Sequence, residues 1–181
     1  LAVTPVPGLR MMCVGTPAGD LHSIYRPLVC FVLQGAKRMI VGNEERVFRG
    51  GQSVIVAADM PVVGRIVEAN PNAPYLAVAV ELEMTLLREV ATQTGGARSP
   101  RPSGIQTLFA EDTEGAMLDC AVRLMRLLDR PDATPLLRSG LMRELHYWLL
   151  SGQHGAALRT LADPDSYAGR LGAAISILTA D

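Results

Sequence analysis

The sequence predicts an α+β fold in which a small β-barrel or sandwich precedes a packed helical part. Two observations carry this prediction. Between Tyr25 and Leu82, short apolar runs rich in β-branched residues are separated by clusters of Gly, Pro and Asn, a pattern typical of strands joined by tight turns. From Met84 onward, Leu, Ala, Met, Arg and Glu recur at the spacing of amphipathic helices.

The N-terminal half is predicted to be an extended arm followed by strands. Pro5, Pro7 and Pro17 make residues 1–20 an arm or an edge strand, because proline cannot donate to a strand ladder. Turn signals then recur at the short intervals typical of sandwiches and closed barrels. The run 53–57 is apolar almost throughout and is predicted to be buried on both faces. The predicted strands cover residues 21–25, 28–34, 36–41, 46–48, 53–57, 62–69 and 75–82, with a hairpin turn at Gly42 and Asn43.

The C-terminal half is predicted to be mainly helical. A helix over 84–94 ends at a Gly pair, a loop covers 97–104, and an added strand covers 105–109. Asp112 or Thr113 is the predicted cap of the next helix, which runs to about residue 129. The remaining predicted helices cover 136–150, with Leu137, Leu141, Leu145, Trp148 and Leu149 on one face, then 155–161 and 166–178.

Composition and charge exclude several classes of function. The chain has 181 residues and a net charge of −1, so it has no general attraction to nucleic acid or to an anionic membrane. No apolar run approaches the ~18 residues of a membrane span, and no secretory signal is present. Three cysteines without a CxxC spacing signal neither a disulfide framework nor a zinc site. These features predict a cytoplasmic protein.

Catalytic and metal-binding patterns are absent from the sequence. Only His22 lies in the predicted strands, whereas a mononuclear metal site in a barrel needs several imidazoles or carboxylates on facing strands. No nucleophile elbow, P-loop or dinucleotide fingerprint occurs. The sequence therefore predicts no catalytic residue, no metal and no cofactor.

Polar residues within the strands are the remaining candidates for a binding site. Alternate residues of a barrel strand face inward, so some of these side chains line the interior, and an apolar pocket with a few polar groups is the usual form of a small-molecule site. The predicted ligand-binding residues are His22, Tyr25, Gln34, Arg38 and Arg65.

A series of strings resembles one family along nearly the whole chain. These strings are YRP, LVCFVLQGAKRMIVG, RGGQSVIV, DMPVVGRIVEA and PYLAVAVEL, followed by LLDRPDATPLL, MRELHYWLLSGQHGAALR and AGRLGAAISIL. In this order and spacing they resemble the N-terminal domain of AraC-type transcriptional regulators. The family's QGAK signature falls on Gln34, Gly35, Ala36 and Lys37, and its turn glycines fall on Gly42 and Gly51.

The resemblance implies a cupin-like small β-barrel followed by a packed α-helical C-terminal part, together one compact domain. Residues 1–83 would form the barrel, and 84–181 would serve packing, dimerisation and linkage. It also implies a domain that senses an unknown small-molecule effector, forms a homodimer and controls a DNA-binding domain with two helix-turn-helix units. We expect that domain to lie beyond Asp181, and we expect the dimer surface on helix 112–130 or helix 136–150.

Two other functions stay open on the sequence. One is a stand-alone, metal-dependent cupin enzyme, although the histidine pair and the later histidine of enzymatic cupins have no counterpart here. The other is a purely structural dimerisation module whose interior is filled by its own side chains.

Overall fold

Strands from the first half of the chain build two antiparallel sheets, and one later strand joins them. The structure is a computed structural model that describes residues 1–41, 44–95 and 107–163. Its strands are β1 (Ala2–Val3), β2 (Leu9–Val14), β3 (Ala18–Tyr25), β4 (Leu28–Gln34), β5 (Ala36–Val41), β6 (Glu44–Arg49), β7 (Gln52–Val56), β8 (Met60–Glu68), β9 (Tyr75–Glu81) and β10 (Leu108–Asp112). One sheet has six strands in the order β1-β2-β9-β4-β7-β10, and the other has four in the order β3-β8-β5-β6.

The helices follow the strands and pack on the six-stranded sheet. They are α1 (Met84–Thr94), α2 (Gly115–Arg126), α3 (Thr134–Ser151) and α4 (Gly155–Ala162), with short 3-10 turns at Leu127–Asp129 and Pro131–Ala133. Buried side chains of β4, β7 and β9 share one core with all four helices. The alternate side chains of the same strands share a second core with the four-stranded sheet.

The six-stranded sheet is therefore the central layer of three. Val29 and Phe31 of β4 face the helices, whereas Leu28 and Val32 face the other sheet. A strand that is covered on both sides needs apolar residues at successive positions. This explains the unbroken apolar runs of β4, β7 and β9, and the predicted two-sided burial of the run at 53–57 is confirmed by the burial of residues 53 to 56.

The predicted α+β class is confirmed, with the strands arranged as two facing sheets. Among the described residues no strand pairing joins the two sheets, so the architecture is a sandwich of the jelly-roll kind and not a closed barrel. Strand β10 returns to the sheet after α1 and pairs with β7. The division of the chain at residues 83 and 84 stays a prediction.

Two helical details differ from the sequence-based expectation. Helix α2 begins at Gly115, and its N-cap residue Glu114 makes no side-chain cap bond. The Thr113 hydroxyl instead lies 2.8 Å from the hydroxyl of Ser53 on β7. In α3, Leu137 is 54% exposed although it was predicted on the buried face.

The face that α3 buries is rotated from the predicted one. Met142, Leu145 and Leu149 are buried, together with His146. The helix carries apolar residues around most of its circumference, so its periodicity does not select one face. The predicted turn at residues 42 and 43, the loop at 97–104 and the helix at 166–178 lie outside the described residues.

Candidate functional site

A cavity of about 490 Å³ opens between the two sheets at one edge of the sandwich. Its walls come from β2 and the end of β9 on one side, and from β3 and β5 on the other. Eight of its thirteen lining residues carry polar or charged side chains. The lining consists of Leu1, Arg10, Met12, Asp20, Leu21, His22, Ser23, Tyr25, Ile24, Arg26, Leu28, Lys37 and Glu81.

Strand register explains which side chains point into the cavity. On β3, Tyr25 is opposite Met60 and Ser23 is opposite Val62, and both of those β8 residues belong to the core between the sheets. Because side chains alternate along a strand, Tyr25 and Ser23 share this inner face. Both residues line the cavity.

Lys37 is the buried cation of the cavity. Its register partners Phe48 and Ile66 are both buried in the core between the sheets, and the lysine itself is only 7% exposed. Its Nζ donates a hydrogen bond of 2.6 Å to the Tyr25 hydroxyl, and it lies 5.3 Å from the centre of the Tyr25 ring. No ion pair of Lys37 is found within the described part of the chain.

Gly64 makes room for the stem of Lys37. A Cβ atom on Gly64 would lie 2.6 Å from Lys37 Cε and 3.1 Å from Nζ. The lysine side chain thus crosses β8 at the one position that carries no side chain, and it reaches Tyr25 on β3 beyond it. A glycine within a strand often marks such a close approach.

An ion pair stands on the opposite wall. Arg10 of β2 donates from Nε to Glu81 Oε1 at 2.6 Å, and its Nη2 lies 2.5 Å from the same oxygen. The two side chains are 36% and 31% exposed, so both remain in contact with the open space of the cavity.

Cys30 lies behind the cavity on β4, near Lys37. Burial raises the pKa of this thiol to about 11, although the positive charge of Lys37 acts in the opposite direction. The thiol is therefore protonated at neutral pH, and it is a weak nucleophile in this state.

The structure brings together only part of the predicted binding set. Tyr25 lies in the cavity, bound to Lys37. His22 lies at the rim, where its register partner Val63 places it on the outer face of β3. The other three residues lie away from the cavity lining: Gln34 donates to the Pro74 carbonyl at 2.7 Å, Arg38 pairs with Glu45 at 3.1 Å, and Arg65 pairs with Asp20 at 2.9 Å.

Lys37, Arg10 and Glu81 were not among the predicted site residues. Lys37 and Arg38 are neighbours on β5, and only one of two neighbouring strand residues can face inward. The sequence carries one usable signal, since Lys37 is the only lysine in the chain. Arg10 and Glu81 are far apart in the sequence, and only the pairing of β2 with β9 brings them together.

A second concavity, of about 860 Å³, lies between α2 and α3. Its lining includes Leu127, Leu137 and Leu141, together with the basic residues Arg126 and Arg130. Arg123 crosses from α2 to α3, where it makes hydrogen bonds of 2.9 and 2.5 Å with the two carboxylate oxygens of Glu144. This hydrogen bond lowers the pKa of Glu144.

Neither metal-ligand clusters nor membrane-spanning helices are found in the part of the chain that the structure describes. No three His, Cys, Asp or Glu side chains of this part lie together as metal ligands would. No helix within it has the length and apolar character needed to cross a bilayer.

Solved structures of ToxT from Vibrio cholerae have a similar fold. ToxT from Vibrio cholerae with an unsaturated fatty acid bound superposes with a TM-score of 0.56 at 6% identity, over 93% of this chain and 62% of that one. ToxT bound to (E)-4-(8-methylnaphthalen-1-yl)but-3-enoic acid superposes with a TM-score of 0.53 at 8% identity, over 94% of this chain and 66% of that one. An apo ToxT variant superposes with a TM-score of 0.54 at 8% identity, over 84% of this chain and 61% of that one. At these identities the likeness shows the fold alone.

The chain spans less than two thirds of the length of these ToxT structures. None of the curated proteins matches the sequence. The family model of the AraC-type transcriptional regulator N-terminus matches residues 5–157, which is most of the chain. The chain therefore belongs to the family of AraC-type transcriptional regulator N-termini.

Proposed function

We propose that this chain is the effector-sensing domain of an AraC-type regulator, and that its cavity binds a small organic acid through Lys37. The observation that supports the proposal is the buried ammonium group of Lys37, whose hydrogen bond goes to the neutral Tyr25 hydroxyl. A buried charge without an ionic partner is costly. A carboxylate beside Nζ would offset this cost with a charge-assisted hydrogen bond.

The ligands in the ToxT structures are organic acids, the same class as the ligand proposed here. Both the unsaturated fatty acid and the butenoic acid bound to ToxT carry a carboxylic acid group on an apolar body. The cavity of this chain offers a cation beside Met12 and Leu28, which suits an acid of modest size. Tyr25 and Ser23 would add hydrogen bonds to the carboxylate.

The regulatory output is also part of the proposal. An effector that binds one arrangement of the domain more tightly than another shifts the population toward that arrangement. The family relationship supports a DNA-binding domain as the receiver of this shift, a cytoplasmic location and no enzymatic activity. It also supports pairing of two copies, for which we propose the α2–α3 face with its exposed Leu136 and Leu137.

Calorimetric binding of octanoate and of cis-9-hexadecenoate to the wild type and to two variants tests the role of Lys37. We expect Lys37→Met to weaken binding about tenfold or more, because a hydrogen bond to a charged group is lost. Methionine fills the space of the lysine stem, so the fold should be retained. Arg49→Met is the matched control: Arg49 pairs with Glu68, both residues lie outside the cavity lining, and the loss of this cation should leave the affinity unchanged.

Chemical labelling provides an independent measurement. Lys37 is the only lysine, so reductive methylation with ¹³C-formaldehyde places its only side-chain label in the cavity. A bound acid should shift the NMR signal of this label. If no carboxylate shifts it and Lys37→Met binds like the wild type, the proposed site is wrong. If the chain forms a dimer and none of the tested small molecules stabilises it, the alternative function of a purely structural dimerisation module is favoured.

A further inference from the structure

The ion pair of Arg10 and Glu81 gives the cavity a second polar group opposite Lys37. Lys37 extends from the four-stranded sheet, whereas Arg10 and Glu81 belong to the six-stranded sheet. Both contacts from Arg10 go to Glu81 Oε1, so Oε2 takes part in neither of them. The cavity thus has a cationic donor on one wall and a carboxylate acceptor on the other.

The lining is unsuited to a long acyl chain. A fatty acid that placed its carboxylate on Lys37 would lay its tail among the charged and polar side chains of the other wall and the rim. Covering Glu81 with a methylene chain would remove water from the carboxylate without replacing its hydrogen bonds, which costs free energy. Only five of the thirteen lining residues are apolar, and they cover only part of the surface: Leu1, Met12, Leu21, Ile24 and Leu28.

We infer that the effector of this chain is a short carboxylic acid with a hydrogen-bond donor, such as a hydroxyl group, at the end remote from the carboxylate. The carboxylate binds Lys37 and Tyr25, and the remote hydroxyl donates to Oε2 of Glu81. This inference rests on the proposed function, because it takes the cavity as the effector site. It adds that the ligand class is polar at both ends, unlike the fatty acid bound to ToxT.

Matched ligand pairs test the inference. Calorimetry compares each ω-hydroxyalkanoate from 4-hydroxybutanoate to 10-hydroxydecanoate with the unsubstituted alkanoate of the same length, and cis-9-hexadecenoate serves as the long-chain probe. At the length that spans the two walls, the hydroxy acid should bind about tenfold tighter than its partner, because its hydroxyl gains a charged acceptor. We expect the hexadecenoate to bind more weakly than the best hydroxy acid.

Two variants test which wall of the cavity causes the preference for the hydroxy acid over the alkanoate. In Arg10→Met combined with Glu81→Met, the hydroxy acid and the alkanoate should bind with equal affinity. Both residues are replaced together because a single replacement would leave an unpaired charge at the wall. In Lys37→Met, both members of each pair should lose affinity by the same factor.

Distinct results overturn this inference and the proposed function. If alkanoates and hydroxy acids bind equally at every length, or if the hexadecenoate binds tightest, while Lys37→Met still weakens binding about tenfold or more, the inference is wrong and the role of Lys37 stands. If the preference for the hydroxyl survives in the double variant, Glu81 is not its acceptor and the inference is also wrong. If no acid of either series binds the wild type, both proposals are wrong.

Discussion

His146 is a buried histidine that ties α3 to the start of α1. Its Nε2 accepts a hydrogen bond of 3.0 Å from the backbone N–H of Glu83, and its Nδ1 lies 2.6 Å from the Met142 carbonyl. Because Nε2 is an acceptor, the proton of the neutral ring is on Nδ1, which donates to that carbonyl. Burial lowers the pKa of His146 below its ordinary value of 6.5.

This lowered pKa predicts a loss of stability in mild acid. The unfolded chain protonates His146 near its ordinary pKa, whereas the folded chain resists protonation, so the free energy of unfolding should fall as the pH falls below about 6.5. Urea unfolding at neutral pH and near pH 5 measures the change. His146→Gln should lower stability by about 1–3 kcal/mol at neutral pH through its altered hydrogen bonds.

The Gln variant also supplies the control, since it removes the titrating group. Its stability should depend less on pH than that of the wild type over the same interval. An identical pH dependence in both proteins would assign the acid sensitivity to other groups. The raised pKa of Glu111 works in the opposite direction, because burial of this carboxyl favours its protonated form in the folded chain.

For single residues, the sequence predicts which types of side chain the strands carry, but it does not predict what each side chain contacts. It predicts polar groups in the strands, but it does not say which of Lys37 and Arg38 faces inward, because a shift by one residue exchanges the two faces. The same holds for His146, because the sequence does not show which backbone group a single histidine on an amphipathic helix will bind. Such roles depend on contacts between residues that are distant in the sequence.

Gly35 fixes the turn between β4 and β5, the element that brings Lys37 into the interior. Its φ is 76°, and a Cβ atom there would lie 2.4 Å from the Glu68 carbonyl oxygen and 3.1 Å from Tyr75 Cα. Both contacts are with backbone atoms, so neither can move aside as a flexible side chain can. This turn therefore needs glycine for its conformation and for its space.

Gly51 provides a matched comparison for this turn. It also has a positive φ, 92°, but no atom lies within 4 Å of the position of an added Cβ. We expect Gly51→Ala to lower the free energy of unfolding by about 1–2 kcal/mol through backbone strain alone. Gly35→Ala adds a clash and should cost about 3–5 kcal/mol. Equal costs in urea unfolding would mean that the close contacts at Gly35 relax freely.

Elements were easier to predict than their faces. The bounds of β4, β5 and α1 agree with the sequence-based expectation, because each has a strong apolar pattern and a clear breaker beside it. The cap of α2 was predicted wrongly, because Thr113 uses its hydroxyl for a contact with Ser53 that only the folded sheet provides. The prediction of which face α3 buries was wrong, because the helix itself carries apolar residues around most of its circumference.

The exposed face of α3 has features that a single copy of the chain leaves unused. Leu136 is 80% exposed and Leu137 is 54% exposed. Gly140 lies within the same helix, with no atom near the position of a Cβ. A glycine inside a helix costs about 1 kcal/mol relative to alanine, and it allows a second helix to approach closely. These features support our proposal that two copies pair here.

Sedimentation equilibrium tests this pairing. A glutamate at Leu137 would place a charge in the centre of the apolar face, so Leu137→Glu should weaken dimerisation at least about tenfold. Val47→Glu is the matched control, since Val47 is 39% exposed on β6 of the four-stranded sheet, which packs on the side of the central sheet opposite the helices. Equal dimer affinity in the wild type and both variants would place the interface elsewhere, and a monomeric wild type would remove the proposal.

The central sheet serves two tasks with residues that alternate along each strand. On β2, Arg10 and Met12 border the cavity while Leu9 and Met11 pack toward the helices, and Leu28 and Val29 divide in the same way on β4. Binding preference and structural support are therefore encoded at neighbouring positions that share a backbone but not a core. A combinatorial library restricted to residues 10, 12 and 28 should change what the domain recognises while the helical scaffold stays intact, so the fold offers a practical route to sensors for new acids.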